Sequence, residues 1–131
     1  MHVKGFTMIE LLIVVSLSAL LTAVVAPNLW GQFIRYTERN HIEGYLADIK
    51  KAILKNRKSG HFFIFSSEQE QTKVISEKHK IEIISGNPVI FRPDRVCSGG
   101  EILLKTESNN TWRLSFTNLD CQLTLSYEKS K

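Results

Sequence analysis

The chain has 131 residues, 43% of them apolar, with 17 Lys and Arg against 13 Asp and Glu and only 2 cysteines. That is one domain's worth of length, too short for most multi-domain enzymes. The net charge of +4 is not a nucleic-acid signature, because residues 1–65 hold eight bases and four acids while residues 66–131 hold nine of each. The excess lies beside an apolar segment and along one helix, where it favours anionic headgroups or acidic partners.

The chain opens on Met1-His-Val-Lys-Gly5, a short, weakly basic head. From Leu11 to Ala26 it is apolar but for Ser16, Ser18 and Thr22, and no charge stands between Glu10 and Arg35. About 20 apolar residues cross a bilayer core, so this run, extended through Leu29, Trp30, Phe33 and Ile34, predicts a membrane anchor. The residues after it, PNLWGQFIRY, offer no small-residue cleavage site, so the run is expected to be retained rather than removed as a secretory signal. The basic head keeps the N-terminus cytoplasmic and sends the rest of the chain across the membrane.

Gly5-Phe-Thr-Met-Ile-Glu10 then leads into the apolar run. This string resembles the prepilin motif of the type IV pilin and pseudopilin superfamily, and its place after a five-residue leader fits too. The resemblance implies cleavage between Gly5 and Phe6 by a prepilin peptidase on the cytoplasmic face, N-methylation of the new Phe6 amine, and assembly with other pilin or pseudopilin subunits at an inner-membrane platform. It also implies an α+β, type IV pilin-like fold: a long N-terminal helix, transmembrane in its first half, packed on an antiparallel β-sheet head in the periplasm. Glu10 has a physical reading of its own. A carboxylate costs up to about 3 kcal/mol at the bilayer centre and less near a helix end, so it is normally kept for a purpose. After cleavage the Phe6 amine and Glu10 stand four residues apart on one helical face. Family precedent is an intersubunit pair that cancels both charges and sets the register of a joining subunit, against a bland placement in the headgroup zone.

Pro27 closes the apolar run. Inside a helix it removes one hydrogen bond and bends or breaks the rod; it marks either a segment that unwinds in a stretched filament, as in related pilins, or a simple kink at the membrane boundary. Beyond it Phe33, Ile34, Ile42, Tyr45, Leu46, Ile49 and Ile53 recur at spacings of three and four, opposite Arg35, Glu38, Arg39, Glu43, Asp48, Lys51 and Lys55. That predicts an amphipathic continuation of the helix to about Lys58, ended by Ser59-Gly60. The rod is then on the order of 80 Å long at 1.5 Å per residue.

After Gly60 the period turns to alternation, and strands are expected near 61–65, 72–75, 80–84, 88–91, 101–105, 111–116 and 122–127, joined by Gly-, Pro- and Asn-bearing turns as antiparallel meanders. Trp112, Leu114 and Phe116 alternate with Arg113 and Ser115, so each strand has one face for the helix stripe. The expected organisation is a leader at 1–5, an anchor and assembly helix at 6–29, its amphipathic half at 30–58 and a β-rich head at 59–131.

Phe91-Arg-Pro-Asp-Arg-Val-Cys-Ser-Gly-Gly-Glu-Ile-Leu-Leu104 followed by Trp112-Arg-Leu114 and a final strand resembles the C-terminal domain of the general secretion pathway H / FimT group of minor pilins. DNA-uptake members of that group carry arginines near the last hairpin. This chain has Leu119-Asp120-Cys121-Gln122 there, which disfavours nucleic acid as a partner. Cys97 and Cys121, an even pair outside the cytoplasm, read as a disulfide. The metal alternative fails on spacing, since there is no C-x-x-C and His41, His61 and His79 show no paired ligand pattern. No phosphate-binding loop, dinucleotide glycine pattern, nucleophile elbow or H-E-x-x-H occurs, so neither catalysis nor a cofactor is expected. The sequence therefore points to a minor pilin or pseudopilin of a type IV pilus or type II secretion system, with a DNA-uptake or adhesive pilin as the alternative.

Overall fold

The computed structural model describes residues 5–129, so most of the leader, including Lys4, and the last two residues lie outside the described residues. Contacts divide the chain into two compact units, Met1–Arg39 and Asn40–Lys131. One element belongs to both: helix α1, Met8–Lys58, 51 residues long.

In the first unit no residue from Gly5 to Thr37 is buried. Ser16, Ser18 and Thr22 turn their hydroxyls onto the carbonyls of Leu12, Val14 and Ser18, which hides these groups from an apolar surrounding. The helix runs through Pro27 without a break, although the missing N–H leaves the Ala23 carbonyl without its usual donor.

The second unit begins with the rest of α1. Ile42, Tyr45, Leu46, Ile49 and Ile53 are buried there in one stripe. Phe33 and Ile34, placed in the same stripe by periodicity, are instead exposed; they belong to the first unit, whose apolar side chains all face outward, and the buried stripe starts at Ile42. The helix ends where Gly60 takes φ 73°. Gly60 N–H donates to the Arg57 carbonyl and His61 N–H to that of Asn56, the paired closure of a Schellman end.

Strand β1, Phe63–Phe65, follows, and then helix α2, Glu70–His79. The strand expected at 72–75 is thus corrected to a helix. Its Thr-Lys-Val-Ile run favours β structure locally, but it is short and flanked by Glu70, Gln71, Ser76, Glu77 and Lys78, and only a helix puts Thr72, Ile75, Ser76 and His79 on one face. Thr72 is fully buried, and its hydroxyl donates to the Ile64 carbonyl at 3.4 Å. Lys80 closes α2 in the left-handed conformation, with Lys80 and Ile81 N–H donating to Glu77 and Ser76, and Ile81 is buried immediately after.

Five more strands complete the head: β2 Glu82–Gly86, β3 Val89–Phe91, β4 Gly100–Lys105, β5 Thr111–Phe116 and β6 Leu123–Glu128. They form not one sheet but two: an antiparallel β1-β3 pair and an antiparallel sheet in the order β2-β4-β5-β6. β2 is bulged between Ile83 and Ser85. Gly86, at φ 141°, lies so close to β4 that an added Cβ would stand 2.5 Å from the Glu101 carbonyl oxygen. The core collects the α1 stripe, Phe63 and Phe65 of β1, Val89 and Phe91 of β3, and Ile102, Leu104, Trp112 and Leu114 of the larger sheet. The architecture is α+β: a long, apolar N-terminal helix and a C-terminal antiparallel β region.

Candidate processing and assembly site

Gly5, Phe6 and Thr7 precede the helix as exposed, irregular backbone. A peptide bond there lies outside the α1 hydrogen-bond ladder, so cutting it requires no unwinding of the helix. Phe6 is 77% exposed.

Glu10 sits in the first turn of α1, where a carboxylate complements the positive end of the helix dipole. Its neighbour is Thr7. Thr7 N–H and the Thr7 hydroxyl both donate to Glu10 Oε2 at 3.3 Å, and Glu10 N–H donates to Thr7 Oγ1 at 3.3 Å. This reciprocal arrangement is a capping box, with Thr7 as N-cap and Glu10 at the third helical position. The sequence carries its signal, a T-x-x-E ahead of an apolar run, but that signal is easily passed over when Glu10 is weighed for its charge alone. In the uncut chain Glu10 is thus engaged by Thr7 and not by Phe6, whose nitrogen is still an amide. A cut before Phe6 would convert that amide into an amine beside an acid already fixed at the helix mouth.

The anchor that carries this site has an 18-residue window of mean hydropathy 2.5, none of it buried. Pro27 lies near the far end of the same apolar surface, well away from Glu10 in sequence.

In the head, the disulfide joins Cys97 and Cys121 with their Cα atoms 5.7 Å apart. Cys97 is buried and pairs in an isolated bridge with Phe91; Cys121 lies in the β5–β6 loop at φ 55°.

A polar cluster lies between α1 and α2. Asp48 Oδ2 accepts from Lys78 Nζ at 2.8 Å and lies 2.8 Å from His79 Nε2, and Lys51 is 3.5 Å from Oδ1. The Lys78 ammonium and the His79 ring hold the Asp48 carboxyl well below the usual carboxylate range. Tyr45 packs edge-on against His79 and shares a 3.0 Å hydrogen bond with Ser76; burial pushes its phenol up to about 12, opposed by the Ser76 bond. No sequence motif announces this cluster, because it exists only once residues 70–79 are helical. On β5, Arg113 makes a two-pronged pair with Glu128 at 2.8 Å and reaches Glu101 at 3.0 Å. The Glu128 pair raises the guanidinium further above its ordinary value and lowers Glu128 below the ordinary carboxylate range. These pairs tie β4, β5 and β6 across the sheet, so this central arginine is already committed to two acids.

A family model described as the prokaryotic N-terminal methylation motif matches residues 1–26. No curated relative and no solved structure matches the chain. The motif marks a type IV pilin-like prepilin processed by prepilin peptidase; it points to a structural subunit, implies assembly with other pilin subunits, and with the apolar helix fits a membrane anchor.

Proposed function

We propose that this chain is a minor pilin or pseudopilin, most like the general secretion pathway H / FimT group, and that it starts or caps a type IV pilus or a type II secretion pseudopilus. Residues 1–5 are its leader, 6–29 its anchor and assembly helix, 30–58 the amphipathic half of that helix and 59–131 its periplasmic head. Prepilin peptidase cuts between Gly5 and Phe6, and Phe6 is then N-methylated. The assembly platform of the inner membrane lifts the subunit into the filament, where a neighbour's Phe6 amine replaces Thr7 as the partner of Glu10. A disulfide in the head supports placement in an oxidising compartment.

One observation carries this reading: a single acid stands at the mouth of a helix whose apolar surface is bare on every side. The cost of desolvating that acid is best met by an opposite charge, and processing supplies one in the freed Phe6 amine of each subunit, which a neighbour's Glu10 takes up. The test compares Glu10→Leu with Thr7→Ala by N-terminal sequencing and by cross-linking to co-expressed pilins. Both variants should insert and lose their first five residues, but only Glu10→Leu should be lost from the filament, because Thr7→Ala removes a helix cap worth about 1 kcal/mol and leaves the charge in place. Incorporation of Glu10→Leu at the wild-type level would refute the ion-pair role.

A further inference from the structure

A groove of about 420 Å³ opens in the head between α1 and the start of β6. Phe91, Phe116 and Leu123 line it from the strands, and Leu54 on the α1 wall is 53% exposed despite being apolar. The volume falls within the roughly 300 to 1,000 Å³ of ligand sites. The charged lining groups are mostly cationic: Lys50, Arg57 and Arg95 stand against the single acid Asp120. Arg57 is partly engaged, its Nε donating to the Arg92 carbonyl at 3.3 Å. Among the described residues, neither Lys50 nor Arg95 has an acidic partner within ion-pairing distance.

Beside this groove the larger sheet ends. Among the described residues β6 pairs with β5 alone of the strands, so it is an edge strand with its outer side open to a further strand. Natural edges are normally blunted by proline, a bulge or an inward charge. β6, Leu-Thr-Leu-Ser-Tyr-Glu, has no proline, keeps a regular register with β5 throughout, and places Leu123, Leu125 and Tyr127 on its inner face. Leu123 belongs to both features: it begins the edge strand and lines the groove, opposite Phe116 on β5. A strand laid along β6 would therefore continue the groove floor and send alternate side chains toward it.

We propose that the groove and the β6 edge form one docking site for an extended, acidic and apolar segment of another polypeptide. The segment adds to β6 as a strand, its main chain supplying the hydrogen bonds and its alternate apolar side chains filling the space over Phe116 and Leu123. Its carboxylates meet Lys50 and Arg95, two groove cations with no acid within ion-pairing distance among the described residues. Complementary charge sets the specificity and a basic segment is repelled. None of this depends on the filament role, because every residue used lies in the second unit, Asn40–Lys131.

The test uses the full chain in nanodiscs of zwitterionic phosphatidylcholine and a fluorescein-labelled peptide six residues long, the length of β6, alternating leucine with aspartate. Fluorescence anisotropy should show saturable binding to loaded nanodiscs and none to empty ones. The Lys50→Glu/Arg95→Glu variant should bind at least roughly tenfold more weakly, as expected for two lost charge contacts, while near-UV circular dichroism confirms an unchanged head. A peptide N-methylated at alternate amides should fail to bind, since it cannot donate to the edge. Equal affinity for a leucine-lysine peptide, undiminished binding of the N-methylated peptide, or no binding at all would each overturn the proposal. Leu54→Asp, an exposed change, gives a second handle and should weaken binding without altering the fold.

Discussion

Opening the Cys97–Cys121 bridge should cost the head a large share of its stability. The two cysteines are 24 residues apart in sequence, so the bridge closes a loop of about 25 residues, and the chain-entropy relation gives a stabilisation of about 3.5 kcal/mol. A domain of this size has a total stability of about 5 to 15 kcal/mol. At about 4 to 8 °C per kcal/mol, loss of the bridge should lower the melting temperature by about 14 to 28 °C. The structure says where loosening starts: Cys97 is buried at 1% exposure, Leu119 N–H donates to its carbonyl at 3.3 Å, and the loop holding Cys121 has two residues at positive φ. Without the bridge the Leu119 hydrogen bond and the close approach of Asn118 to Gly99 are left to hold the β5–β6 loop to the stretch at Cys97. The assay is thermal unfolding of the full chain followed by near-UV circular dichroism, which senses Trp112 packed edge-on against Tyr127. Oxidised protein, reduced protein and the Cys97→Ala/Cys121→Ala variant are compared. A fall of less than about 5 °C on reduction would mean that the unfolded chain is already constrained over this loop, and the entropic argument would fail.

Two glycines should respond to alanine with opposite signs. Gly44→Ala lies in α1, where the new methyl would stand 3.9 Å from His79 Cε1, an ordinary contact, and should stabilise by about 0.5 to 1 kcal/mol. Gly86→Ala meets Glu101 at 2.5 Å with φ 141° and should destabilise by more than about 1 kcal/mol; denaturant midpoints measure both, and equal signs would contradict the geometry at one of the sites. Asp48 sets an acid limb. Its folded-state value is depressed below the ordinary 3.8 by Lys78 and His79, so its contribution is fully present above that ordinary value and is lost as pH falls through the folded one. Asp48→Asn should therefore lower stability at neutral pH and flatten the pH dependence below about pH 4. Hydrogen exchange in α2 reads this directly, and an unchanged acid limb would show that the Lys51, Lys78 and His79 contacts leave folding untouched.

The helix and its leader motif were legible because their signals are local. An unbroken apolar run, a three-four stripe and a Gly after Lys58 each specify helix within a few residues. The strands from β2 onward were legible within a residue or two for the same reason, since alternation at Trp112, Leu114 and Phe116 needs no partner to be recognised. What alternation cannot state is which strand pairs with which, so the separation of β1 and β3 from the larger sheet was hidden. Residues 70–79 failed differently. A β-branched cluster at Thr72, Val74 and Ile75 outweighed weak helix propensity in the sequence, whereas in the fold the burial of Thr72 and the left-handed closure at Lys80 decide for helix. The Asp48 cluster vanished with that error, because its partners lie about thirty positions away in sequence. Phe33 and Ile34 show the converse limit: periodicity continues smoothly from the anchor into the stripe and cannot mark where the solvent changes.

That change of solvent is the physical reason for the filament reading. Between Leu11 and Leu29 every Leu, Ile and Val side chain is exposed, by between 46% and 68%. There are eleven of them, and covering what remains bare at roughly 1 to 2 kcal/mol each comes to about 10 to 20 kcal/mol. That matches or exceeds the whole folding stability of a domain this size, about 5 to 15 kcal/mol, so water is excluded as the resting environment of this segment. Lipid tails satisfy the debt as well as protein does, so the hydrophobic effect gives no preference between a lone anchor and a bundle of anchors. Beyond side-chain packing, a preference comes from a group that lipid serves badly, and between Lys4 and Arg35 Glu10 is the only ionised side chain. On the proposed reading, a bundle of such helices gains over dispersed anchors when each Glu10 finds a cation there, so that one carboxylate at the mouth of the helix, rather than the apolar surface itself, would decide whether the subunit leaves the membrane.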